Sequence, residues 1–196
     1  GEAPAVADAI AQHYWPRFAG DALPEGKIAQ AVALADKLEA LAGLFGIGNV
    51  PTGDKDPFGL RRAALGLLRI LIEKRISVPL PDLLALSFGA FDATTGLSAD
   101  PAPLADFILD RLRGHLREQG ATPQQIEAVL AQNPDRVDLV PEQLAAVQAF
   151  ARMPEADALS AANKRIVNIL RKSGAEAAAA VDRSLLGDGA EHDLYL

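Results

Sequence analysis

Cysteine is absent from the 196-residue sequence, which excludes disulfide cross-links, a thiolate nucleophile and a cysteine-ligated zinc site. Aromatic residues are scarce, at 5%, and the apolar 49% is mainly alanine and leucine. Such side chains favour closely packed helices over a sandwich of valine, isoleucine, threonine and tyrosine strands. Positive charge is also in deficit: 19 Lys and Arg stand against 26 Asp and Glu, a formal charge of −7. A global basic field is therefore missing. DNA is not an expected partner, and any RNA contact has to come from a local basic face. No apolar run reaches membrane-spanning length and no signal peptide opens the chain, so the expectation is a cytoplasmic protein without a membrane partner. The chain begins Gly1-Glu2 without Met and enters a helical pattern at once, which reads as a cut inside a longer protein.

What is there is helix after helix. Val6, Ile10, His13 and Tyr14 keep helical spacing until Pro16, which places His13 on an inward stripe. A second helix is expected over 27–45, with Ile28, Val32, Ala35, Leu38, Leu41 and Phe45 as its apolar stripe. After an irregular stretch, Asp56 suits the cap of a helix opening at Pro57 and running to Arg75. That helix is apolar on nearly every side except at Arg61, Arg62 and Arg69, which puts it in the middle of a bundle. A shorter helix over 82–91 and a linker over 92–103 lead to helices over 104–119, 123–132 (capped by Thr122), 141–152 and 156–172. Residues 176–186 can continue as helix before a loose polar tail. The expected fold class is all-α, a multi-helix bundle followed by a second helical subdomain.

Three constellations could carry chemistry. In the first, Asp36 has Ala29, Ala33 and Ala40 at helical offsets on its own face. Alanines there let a neighbouring helix come close, so the carboxylate lies in a seam and needs a cation, backbone donors or a metal. His13 precedes it on the helix before. The order of Ala9-Ile10-Ala11-Gln12-His13-Tyr14, a Gly/Pro loop and Ala33-Leu34-Ala35-Asp36 resembles the later part of HD-type metal phosphohydrolases. The first ligands of that superfamily would precede Gly1, and Tyr14 stands where many members carry a second His. His13 and Asp36 are thus expected to be vestigial HD-type positions, with no catalytic residue and no metal site in this chain.

In the second, the glycines and Lys55 between Phe45 and Arg62 suggest a phosphate cradle, but the Gly-Lys-Ser/Thr order of a P-loop is missing. Arg61, Arg62 and Arg69 must each reach solvent, a carboxylate such as Asp54 or Asp56, or an RNA phosphate. Pairing that fixes the loop is one reading for Arg61 and Arg62; RNA contact is the sharper one. In the third, Lys164, Asn168, Arg171 and Lys172, with Arg165 adjoining, form a basic face on a helix whose Leu159, Ala162, Ile166 and Ile169 or Leu170 are expected to face a core. A basic face in an acidic chain is where an RNA backbone contact belongs, if it is not simply solvated.

The string Val50-Pro51-Thr52-Gly53-Asp54-Lys55-Asp56-Pro57-Phe58-Gly59-Leu60-Arg61-Arg62-Ala63-Ala64-Leu65-Gly66 resembles the β subunit of bacterial two-subunit glycyl-tRNA synthetases. His13-Tyr14-x-Pro16-Arg17-Phe18-Ala19-Gly20-Asp21 and Ala33-Leu34-Ala35-Asp36-Lys37-Leu38 carry the same resemblance, which is weakest over 93–140. It implies a central-to-late segment: the second half of an HD-like region over 1–92, a helical connector over 93–155, and the start of an anticodon-binding region over 156–196. It further implies a role in ATP-dependent charging of tRNA(Gly), with the α subunit as partner and ATP and Mg²⁺ acting there, so that this chain alone needs no cofactor and has no activity. A degenerate HD-type phosphohydrolase and a helical scaffold that binds only protein remain the alternatives.

Overall fold

Small side chains set the first helix contact. Ala9 of α1 (Pro4–Gln12) and Ala29 and Ala33 of α2 (Gly26–Gly46) are buried, and the two helices pack on one another. The alanine seam is where the spacing placed it. The rotation of α1 is not: Val6 and Ile10 are exposed, because the contact runs through Ala9 and turns the larger residues outward. α2 divides its apolar residues in the same way. Leu34, Leu38, Leu41 and Phe45 enter the core, whereas Ile28, Val32 and Ala35 of the expected stripe are exposed.

The computed structural model describes residues 1–91, 96–173 and 189. The described chain is all α-helical and contains no strand. After α1 and α2 come α3 (Leu60–Glu73), α4 (Leu80–Gly89), α5 (Ala102–Glu118), α6 (Pro123–Leu130), a 3-10 turn (Val137–Leu139), α7 (Val140–Phe150) and α8 (Ala156–Ser173). The helix expected over 176–186 lies outside the described residues.

α3 is the central helix, as its near-continuous apolar sequence requires. Leu67, Leu68, Ile70 and Leu71 are fully buried, and α3 packs against α2, α5 and the 3-10 turn. Its start differs from expectation by one turn. The carboxylate of Asp56 accepts from the backbone N–H of Leu60 at 2.8 Å and of Arg61 at 3.0 Å. The cap residue is therefore the expected one, but Pro57 to Gly59 form a turn before the helix, with Gly59 in the left-handed region at φ 68°. α6 opens on a full capping box: Thr122 Oγ1 accepts from the Gln125 N–H, and the Gln125 side chain accepts from the Thr122 N–H.

The chain forms two units, 1–149 and 150–196. The stretch expected as a connector from 93 onward does not stand apart. Leu104, Ile108, Leu112 and Leu116 of α5, Ile126 of α6 and Leu144 of α7 join the same apolar core as α2 and α3. A central helix that is apolar all round needs cover on every side, and these elements supply it.

Candidate functional site

The seam between α1, α2 and α3 buries a charge, and it belongs to Lys37, not to Asp36. Lys37 is 5% exposed. Its Nζ donates to the carbonyl oxygen of His13 at 3.4 Å, at the C-terminal end of α1, where a cation meets the negative end of the helix dipole. Burial pushes the Lys37 ammonium below its ordinary value, and the neighbouring Asp36 carboxylate partly offsets this. Asp36 itself is half-buried. His13 closes α1 by a local hydrogen bond, Nδ1 to the Ile10 carbonyl at 2.7 Å, with the Tyr14 ring 3.9 Å away between centroids. Among the described residues no group of three or more His, Asp or Glu side chains is placed to hold a metal ion. Spacing could have found Lys37, since it stands four residues after Ala33 and four before Leu41 on the buried face of α2.

The loop from α1 to α2 is organised around Asp21, a residue the sequence reading passed over. Its carboxylate accepts from the Arg17 backbone N–H at 2.9 Å, from Arg17 Nε at 2.9 Å and from the Ala22 N–H at 3.0 Å. The Arg17 side-chain hydrogen bond, with the backbone donors, holds the Asp21 carboxyl at about 2. Arg69 of α3 donates from one terminal nitrogen to the Asp21 carbonyl oxygen at 3.1 Å and from Nε to Glu73 at 2.7 Å. Only 12% of its side chain is exposed. Arg69 is thus engaged inside the fold, tying α3 to the loop.

Arg61 and Arg62 take different roles. Arg61 is half-buried and its guanidinium donates to the Gly53 carbonyl, so it braces the loop through a backbone oxygen instead of through Asp54 or Asp56. Across the tip of that loop Thr52 and Lys55 exchange backbone hydrogen bonds of 3.2 and 2.9 Å. Arg62 is exposed and lies over Gly59, where a Cβ would come within 2.8 Å of its guanidinium.

α8 carries the other candidate cations. Lys164, Arg165, Arg171 and Lys172 are all exposed and, with Asn168, occupy about a third of the helix circumference. Arg171 donates to the Asn168 side chain at 3.2 Å. Ala161, Lys164, Arg165, Asn168, Ile169 and Lys172 line a shallow hollow of about 430 Å³ on this side. α8 contains one carboxylate, Asp157, against these four cations. Its apolar residues do not face a core as expected: Leu159, Ile166, Ile169 and Leu170 are all exposed.

The family described as glycyl-tRNA synthetase beta subunit matches residues 1–131. The chain is 53% identical over 195 residues to the glycine–tRNA ligase beta subunit of Dechloromonas aromatica, covering 100% of the chain and 27% of that protein. It is 58% identical over 191 residues to the Paracidovorax citrulli beta subunit, covering 97% of the chain and 26% of the relative. The Thiobacillus denitrificans beta subunit is 52% identical over 195 residues, 100% of the chain and 28% of the relative. The chain therefore spans about a quarter of the length of the curated relatives it matches.

Proposed function

The chain belongs to the glycyl-tRNA synthetase β-subunit family, and from that premise we propose that it supplies tRNA contact and subunit architecture to a two-subunit glycine–tRNA ligase. The observation that carries the RNA part is α8: four exposed cations on one side of a helix, in a chain whose net charge is −7. Phosphate contacts dominate protein–nucleic acid affinity, and long cationic side chains on a helix face can follow a phosphate backbone. Lys164, Arg165, Arg171 and Lys172 are the contact residues on this reading, with exposed Arg62 as an outlying one.

The architectural part rests on unit 1–149, whose buried ions and capped loops hold helices in register. Glycine activation with ATP and Mg²⁺ belongs, in this proposal, to the partner α subunit, with tRNA(Gly) as the shared substrate and the cytoplasm as the location. No helix among the described residues is long and apolar enough to cross a membrane.

The test uses the intact β subunit with its α subunit, which together should charge tRNA with glycine. Lys164→Glu with Arg171→Glu should weaken tRNA binding and flatten its dependence on salt, because each lost phosphate contact lowers the slope by about one. A slope that does not change would remove α8 from the interface.

A further inference from the structure

α2 presents apolar side chains to two sides. Those not in the core, Ile28, Ala31, Val32 and Ala35, are exposed and spaced i, i+3, i+4 and i+7. That spacing makes a continuous strip along one face of a helix, the pattern of a face that packs on another helix. Beside the strip runs a groove of about 920 Å³ between α2, the turn after α3, and α4. Leu34, Leu38, Ile76, Val78 and Leu83 line it, and Leu86 of α4, 71% exposed, stands at its edge.

The groove follows α2 from Lys27 to Glu39, a rise of about 18 Å, which is the length of about three helical turns. Ala31, Ala35, Ser87 and Ala90 along it are small, so the backbone of an occupant can approach closely. The charges select the occupant. Lys27 and Lys74 flank the groove and have no ion-pair partner among the described residues, whereas Arg75 is already held by Glu142 at 2.6 Å. Glu39 is the one carboxylate among the described lining residues. A phosphate backbone would find an apolar lining here and only two unpaired cations. An amphipathic helix with carboxylates beside its apolar face matches both the lining and the flanks.

We propose that this groove receives an amphipathic, carboxylate-bearing helix of the partner subunit. The proposal rests on the two-subunit reading above and adds to it the surface and the chemistry of the joint. Val32, Ala35 and Leu86 are then anchors that lose their exposure on assembly, and Lys27 and Lys74 are the charges that align the incoming helix.

The experiment measures association of the intact β subunit with purified α subunit by calorimetry. Val32→Asp and Leu86→Asp alter exposed positions and should leave the thermal midpoint of the isolated subunit unchanged. Each should weaken association by roughly tenfold or more, and Lys27→Glu with Lys74→Glu should weaken it and reduce its salt dependence. Unchanged association in all three overturns the proposal. So does a lower thermal midpoint with association intact, which would show that the subunit's own chain covers the groove. Loss of β self-association with α affinity intact would assign the groove to a second copy and overturn it as well. Failure of the unvaried pair to charge tRNA would overturn the ligase reading underneath, a result distinct from a working ligase whose association ignores the groove.

Discussion

A Cβ built on Gly66 of α3 would lie 2.8 Å from Cε and 3.4 Å from Cδ of Lys37, with Cγ of Pro16 at 3.3 Å. The glycine is the space through which the buried lysine reaches the end of α1. Filling it forces the side chain or the helices apart. Gly66→Val is expected to lower the free energy of unfolding by about 2 kcal/mol through overpacking. Lys37→Ala should relieve part of that loss, giving a coupling above about 0.5 kcal/mol in a double-mutant cycle by urea denaturation. Strictly additive costs would show that the two residues do not share this space.

Lys37 also makes a statement about pH. Its folded-state affinity for a proton is lowered by burial from the ordinary 10.5, so unfolding takes up a proton wherever the folded amine is neutral. Stability attributable to this residue therefore rises with pH from its folded value up to the unfolded one. Lys37→Met keeps the bulk and removes the titration. The urea midpoint of the wild type should gain on that of the variant between pH 7 and 10, and parallel curves would contradict a depressed lysine.

Asp21 works in the opposite direction. Its carboxyl is held at about 2 against an ordinary 3.8, so its contribution is complete above pH 4 and is lost as pH falls through about 2. Asp21→Asn should melt at a lower temperature than the wild type at pH 7. The difference should shrink steadily between pH 4 and 2, where Asp21 becomes neutral and Arg17 loses its charged acceptor. A gap that stays constant across that interval would mean the arginine contact contributes nothing.

Asp56 caps α3 with both carboxylate oxygens. Asp56→Ala leaves two N–H groups of the first turn without that acceptor and should cost about 1–2 kcal/mol in chemical denaturation. Asp56→Asn should recover part of the loss, since it retains one oxygen. Equal stability of all three proteins would place the start of the helix under other control.

Arg69 and the α8 cations should separate in one assay. Arg69 is held by Glu73 and the Asp21 carbonyl, so Arg69→Ala should lower the thermal midpoint while leaving the salt slope of tRNA binding as it was. Substitution of Lys172 by Ala should do the reverse, lowering the slope by about one without touching the midpoint. Arg69 showing the slope effect would move the RNA surface onto α3.

Much of the architecture was legible because it depends on neighbours within a turn or two. The caps at Asp56 and Thr122, the central place of α3, and the alanine seam of α2 all follow from local spacing. The boundary near 92 did not survive, because covering an all-apolar α3 draws α5 and α6 into the same core. No window of sequence shows which later helix will supply that cover. The candidate site was legible in part: the cations of α8 lie on the outer side, but the apolar residues behind them are exposed.

By itself the sequence determines that this protein is helical, where its helices start, and which β-subunit family it resembles, since these rest on composition, periodicity and an unbroken motif. Only the tertiary structure decided that Lys37 and not Asp36 is the buried ion, that Asp21 anchors the first loop, and that Ile28 and Val32 turn outward beside a groove. The reason is rotational. Apolar residues surround much of α2, so more than one rotation satisfies its periodicity, and the choice falls to the alanine face that α1 can approach and the space that Gly66 leaves open.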